Sequence, residues 1–355
     1  MGVAWPCVVL YAASISLMML NGVVCAALSE ETLEFIAEAN KNGPYLGLVI
    51  PNSFEMDPLL QSPNFTSSNL TIDFSGDFGL ERLLKKVILV MTGLAMINAG
   101  ITTQLLLSLF DIEGVVHYGI AGNANPDLHL ADVVIPQYWA HTALWNWQVN
   151  MEMDQKMSYL ESQGDYTRDI GYLKFANYTV NMTDRSSYDN LLNNIWYQPE
   201  EVFPVDGTPE QREHAFWIPV DPFYYEVSQK LEDVRLEGCL NSTTCLSHTP
   251  RVARVQRGTS ASIYLDSAAY RDFIYDKFNI TPVSMESASV ALICLQQKVS
   301  FIVIRALSDL AGGGSADSNE ADTFVTLASN NSVTVLLEFV KHLSTATISL
   351  SNINV

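Results

Sequence analysis

The chain has 355 residues, 48% of them hydrophobic and 16% charged, with 39 acidic against 19 basic residues for a formal net charge of −20. So acidic a surface repels nucleic-acid phosphates and anionic membranes, which excludes both as main partners. The five cysteines form no CxxC or Cys/His cluster, so no metal site is expected.

In chain order, Met1–Ala27 opens uncharged, runs through apolar Val8–Leu20 and ends on small Cys25, Ala26 and Ala27. That run is too short to span a bilayer comfortably, and the pattern reads as a secretory signal peptide. The rest, residues 28–355, is expected to be one soluble domain bound for the secretory pathway, vacuole or extracellular space. Seven Asn-X-Ser/Thr sequons, at Asn64, Asn69, Asn177, Asn181, Asn241, Asn279 and Asn330, fit that route as glycosylation sites. Cys239 and Cys245 are close enough to close a small disulfide loop, which would stabilise by about 2 kcal/mol. Cys294 lies in an apolar helical pattern and reads as a buried thiol.

A helix is predicted over Glu30–Asn40, then strands over Tyr45–Ile50 and Val87–Met91, a helix over Met96–Phe110, and strands over Val115–Tyr118 and Asp132–Ile135. Strands Val252–Val255 and Ser300–Ile304 bracket a helix from Ser287 to Gln297, and Glu320–Leu343 closes the chain as a long helix. Such alternation predicts an α/β fold, a single three-layer α/β/α domain with a central, mostly parallel mixed sheet. The exception is a polar, aromatic insertion at about 141–233. With its edges it holds Trp139, Trp145, Trp147, Trp196 and Trp217, too many for disorder, and it reads as a folded element anchored by these rings or as a substrate lid.

Two acids fall near the end of the Ser300–Ile304 strand: Glu286 in Ser284-Met285-Glu286, and Asp309 in Arg305-Ala306-Leu307-Ser308-Asp309. Carboxyl ends of strands in open α/β sheets are where ligands bind. Thr92-Gly93 and Gly119-Ile120-Ala121-Gly122 are turns that let backbone amides approach a ligand, or serve as tight structural turns. As purely structural alternatives, Asp309 would cap a helix and Glu286 would pair with Arg305.

These blocks, with Asp132-Val133-Val134-Ile135-Pro136, occur in the order seen in the nucleoside phosphorylase and methylthioadenosine/S-adenosylhomocysteine nucleosidase superfamily, which the chain resembles over most of Leu46–Leu343. Trp145-Asn146-Trp147, Trp196-Tyr197-Gln198-Pro199-Glu200-Glu201 and Asn241-Ser242-Thr243-Thr244-Cys245 are similar to its secreted plant branch, the bark and vegetative storage proteins. The resemblance implies cleavage of a purine nucleoside, plain or a cytokinin riboside, by phosphorolysis or hydrolysis. Asp309 would be the general acid, Glu286 and Met285 the ribose site, and Glu55 the group that activates water. Thr92, Gly93, Gly122 and His117 would hold an anion or water. Ile120 stands where many members carry a Ser, and His117 where others carry Arg or Asn, so the nucleophile's site departs from the pattern. No cofactor is implied beyond inorganic phosphate as a possible co-substrate, and a homo-oligomer is expected. The rival expectation is a nitrogen-storage protein that needs no working site.

Overall fold

The computed structural model describes residues 28–73, 77–82, 85–147, 170–171, 195–208, 212–313 and 321–353. The segment expected to be a signal peptide, Asn177, Asn181 and much of the insertion lie outside the described residues. The chain divides into a short unit ending at Asn42 and a large one from Gly43 onward. The short unit contains helix α1 (Glu30–Lys41), whose first turn is capped by the Ser29 hydroxyl accepting from the Thr32 N–H.

In the large unit, β1 (Tyr45–Ile50) is followed by α2 (Ser53–Leu60), β2 (Thr66–Asp73), β3 (Asp77–Arg82), β4 (Lys86–Met91) and α3 (Met96–Leu109). Next come β5 (Ile112–Asn123) and β6 (Val133–His141). The insertion supplies β7 (Trp145–Trp147), β8 (Ile170–Gly171), β9 (Ile195–Tyr197), β10 (Glu200–Val202), β11 (Glu213–Ala215) and β12 (Ile218–Pro219). Helix α4 (Pro222–Val227), β13 (Val252–Ser260), α5 (Ala268–Phe278), β14 (Ile280–Ser284), α6 (Ser287–Gln297), β15 (Phe301–Leu310) and α7 (Ala321–Ile353) complete the unit.

The ten-stranded sheet is mixed. Its centre is parallel, with β1 between β4 and β5, and β15 beside β5. Antiparallel pairing enters at the margins, through β2–β3–β4 and β12–β6, and inside the sheet, where β14 meets β5 and β15 meets β6. All six residues of β1 are buried, as a strand covered on both faces requires. Alternation along it separates the layers: Leu46, Leu48 and Ile50 share a core with α2, α4 and α7, whereas Gly47 faces Leu106 of α3. Strands β5, β15, β6, β13 and β14 each bond to two others of the set, so this part of the sheet closes into a ring.

One expectation is corrected. Arg305–Asp309 do not follow the strand: β15 runs on through Leu310, its ladder to β5 continuing past the apolar run. Several elements had no clear signal in the sequence. Pro58 sits inside α2 and Pro282 inside β14, each a residue that ordinarily argues against its element. The β2–β3 hairpin and α5 were likewise not foreseen.

The described insertion is anchored by aromatic packing. Tyr197 is fully buried and meets Phe216 and Phe278 edge-on at 6.4 and 5.1 Å, and Arg257 lies 4.4 Å over the Trp217 ring. Trp139 is a buried residue of β6 itself. Cys239 and Cys245 are disulfide-bonded, and Cys294 is a buried thiol on α6. Asn64, Asn241, Asn279 and Asn330 are exposed.

Candidate active site

A cavity of about 350 Å³ opens where the closed strand ring meets α2. Strand β5 contributes Ile120, Ala121 and Gly122; the end of β14 contributes Val283, Ser284, Met285 and Glu286; and β15 contributes Ser308 and Asp309. Asn52 and Glu55 come from the start of α2, and Leu94, Ile263, Tyr264, Leu265 and Val325 form an apolar wall. The sequence-predicted Glu55, Gly122, Met285, Glu286 and Asp309 therefore share one cavity.

Asp309 is turned there by a bulge. Leu307 pairs with Ala121 and Asp309 with Gly122, so Ser308 is the extra residue on β15. The Ser308 hydroxyl donates to Asp309 Oδ1 at 2.7 Å. Burial pushes the Asp309 carboxyl up, and nearby Asp266 adds to this while the Ser308 bond opposes it. Burial thus favours the protonated form of this carboxyl over what an exposed aspartate would show.

Glu55 is 2% exposed. Asn52 caps α2 by accepting from the Glu55 N–H, and its own amide donates to Glu55 Oε2 at 2.6 Å. Glu55 Oε1 accepts from the Ile120 N–H at 2.6 Å and lies 3.5 Å from Arg305 Nη1. Burial raises the Glu55 pKa to about 7, against the pull of Arg305 and the Ile120 N–H and with a smaller push from Glu286. Gly119 makes this approach possible: it has φ +148°, and a Cβ there would sit 2.1 Å from Glu55 Oε1.

Glu286 joins the start of α3 to Arg305, and its Oε2 also accepts from the Met285 N–H at 3.3 Å. Its Oε1 accepts from the Ala95 N–H at 3.0 Å, at the start of α3, where helix N–H groups favour a negative charge. Its Oε2 lies 3.6 Å from Arg305 Nη2. The pairing read from sequence as an alternative to a ribose role is thus present, and the carboxylate lines the cavity as well.

Arg305, noted in the sequence only as a partner for Glu286, is the centre of the cluster and is fully buried. Its Nε donates to Ser287 Oγ at 3.0 Å and its Nη1 to the Ile120 carbonyl at 3.1 Å, beside Glu55. Its Nη2 meets His117 Nε2 and Glu286. No sequence signal separated it from an ordinary strand-end cation; its position on an interior face, opposite two buried acids, is what identifies it.

Of the residues expected to hold an anion or water, Gly122 lines the cavity. Thr92, Gly93 and His117 do not line the cavity. The Thr92 hydroxyl donates to the Gly93 carbonyl at 2.7 Å, and Gly93, at φ +79°, turns the chain toward α3. His117 is completely buried, its Nδ1 2.8 Å from the Val49 carbonyl and its Nε2 against Arg305. Neither ring nitrogen is left to meet an anion. Ile120 contributes a backbone N–H to Glu55, so the missing Ser hydroxyl is not what organises this corner. None of the described insertion residues lines the cavity either.

Among proteins of known identity, bark storage protein A of Populus deltoides is 29% identical over 261 residues, 73% of this chain and 75% of its own length. The 5'-methylthioadenosine/S-adenosylhomocysteine nucleosidase of Mycobacterium tuberculosis is 27% identical over 256 residues, 71% of this chain and 80% of its own. Among solved structures, the nucleosidase of that name from Neisseria meningitidis, in complex with methylthio-immucillin-A, superposes with a TM-score of 0.56 at 18% identity. That alignment covers 84% of this chain and 98% of that one. Futalosine hydrolase of Helicobacter pylori gives 0.53 at 17%, covering 84% and 97%. Both share the fold. The model of the phosphorylase superfamily matches residues 45–341, from β1 into α7 and through every wall of the cavity. The chain belongs to the phosphorylase superfamily.

Proposed function

We propose that the chain cleaves the N-glycosidic bond of a purine nucleoside, with water as the acceptor. The observation that carries this reading is the convergence of Glu55, Glu286 and Asp309 on one cavity, the first two held against the buried Arg305. In the reaction Asp309 gives its proton to the purine as the C1′–N9 bond breaks and the bond's electron pair leaves with the base. Glu55 takes a proton from the water whose oxygen bonds to C1′. Glu286 accepts from ribose hydroxyls, Met285 packs on the sugar, and the carboxylates offset the positive charge developing on the ribosyl group.

Water is favoured over phosphate by charge. The described residues lining the cavity include three acids and no Lys, Arg or His, and Arg305 is already engaged by its partners, so a phosphate dianion would meet repulsion. The nucleosidase names of several relatives point the same way. The apolar wall suits the face of a base or an N6 substituent, as in a cytokinin riboside. No organic cofactor enters the scheme. The leader and sequons support action in the secretory pathway.

Likeness to the bark storage proteins favours a second reading, nitrogen storage. Both are tested by incubating the folded chain with adenosine, inosine, methylthioadenosine and N6-substituted adenosines in phosphate-free buffer and measuring free base. Release that Asp309→Asn abolishes supports the enzyme; no release from any of them leaves storage.

A further inference from the structure

We infer that His117 is a positioning residue for Arg305: a neutral, Nδ1-protonated imidazole whose Nε2 lone pair fixes the guanidinium between the two active-site carboxylates. Its effect on turnover rests on the proposed nucleosidase reading; the arrangement itself does not.

The argument begins with the register. Val303 pairs with His117 and Arg305 with Gly119 on parallel neighbours β15 and β5, so His117 and Arg305 share one face of the sheet as diagonal neighbours. Both are completely buried, so every N–H needs a partner. A carbonyl only accepts, so the contact at 2.8 Å with the Val49 carbonyl makes Nδ1 the protonated nitrogen. A guanidinium only donates, so Nε2 is the acceptor for Nη2. One tautomer satisfies both neighbours, whereas the imidazolium satisfies Val49 alone, because its second proton would face a cation. Burial and the adjacent Arg305 lower the His117 pKa well below its ordinary value, in agreement with this geometry.

The consequence lies in how Arg305 spends its five N–H groups. Nε goes to Ser287, Nη1 to Ile120 and Glu55, and Nη2 to His117 and Glu286. His117 is the neutral acceptor that takes one Nη2 proton away from Glu286. Without it, Nη2 has only Glu286 to serve, and the guanidinium is drawn away from Glu55, whose contact is already 3.5 Å long. Glu55 would lose part of the cation that opposes its protonation.

The full chain tests this with two readouts that need no turnover. In the unmutated protein, the 15N resonances of His117 are expected to show a neutral ring protonated at Nδ1 and not at Nε2. The 13C carboxyl titration of Glu55 is expected to move up by about one pH unit in His117→Phe, which has no acceptor. It should return in His117→Gln, whose amide can donate to Val49 and accept from Arg305. If base release is observed, kcat should fall about tenfold or more in His117→Phe, with KM little changed and with recovery in His117→Gln. A protonated Nε2, or a Glu55 midpoint identical in wild type and a folded His117→Phe, would overturn the inference. If no variant and no wild-type protein releases base, the nucleosidase reading fails while both resonance measurements still decide the role of His117.

Discussion

Glu55 links stability to activity with opposite signs. Its folded pKa, about 7, lies above the ordinary 4.5, so between these values the folded state binds more protons than the unfolded state. Stability from this group is full below about pH 4.5 and is lost as pH rises through about 7, an effect of about 3 kcal/mol at pH 8. As a base, however, Glu55 must be ionised, so base release should rise with pH through about 7. Glu55→Gln should flatten the pH dependence of denaturant melts over this window and remove the acid limb of the rate profile. Asp309→Asn should lower base release by about 100- to 10 000-fold with little change in melting, since the amide is close to isosteric. Asp309 and Glu286 were legible in the sequence because each sits in a short block at an element end. Glu55 was placed only by its spacing from β1, and the centrality of Arg305 was hidden, because burial among acids from α2 and the β14 end is a property of three dimensions.

Elements whose patterns arise from their own burial were readable: β1 and β4 as apolar runs, and α6 from Ser287 to Gln297. Those shaped by neighbours were not. β14 is a strand despite Pro282 because it joins β13 to the end of β5, and β15 outlasts its apolar run because β5 keeps pairing with it. Gly119 of β5, which lets Glu55 approach the strand, is the position on which the site depends. Gly119→Ala would force a side chain into a φ +148° backbone and against Glu55 Oε1. It is expected to cost roughly 1–3 kcal/mol in denaturant melts, and to cut base release more than tenfold by displacing Glu55. The insertion's anchoring is tested separately: Tyr197→Ala, which opens a hole among Phe216, Phe273 and Phe278, should cost about 3–5 kcal/mol yet leave KM nearly unchanged. A large KM change would indicate that the insertion reaches the substrate after all.

At the scale of the whole molecule, a chain of net charge −20 repels its own copies except through an uncharged face. Helix α3 has no charged residue and exposes Ile97, Ile101 and Leu105 at helical spacing, with Leu94 continuing the stripe to the cavity mouth. We propose homo-oligomerisation through this face. Light scattering should report a species larger than the monomer that dissociates in Ile97→Glu/Ile101→Glu; a wild-type monomer at all concentrations would remove the proposal. The closed strand ring opens onto a cavity that gathers Glu55, Glu286 and Asp309, and the central claim is that this cavity hydrolyses a nucleoside. The direct measurement is the rate of free base release by wild-type protein as phosphate is raised from zero to millimolar. A constant rate with free sugar as co-product is predicted. Release that requires phosphate and yields a sugar phosphate, or no release at all from folded protein, would contradict it.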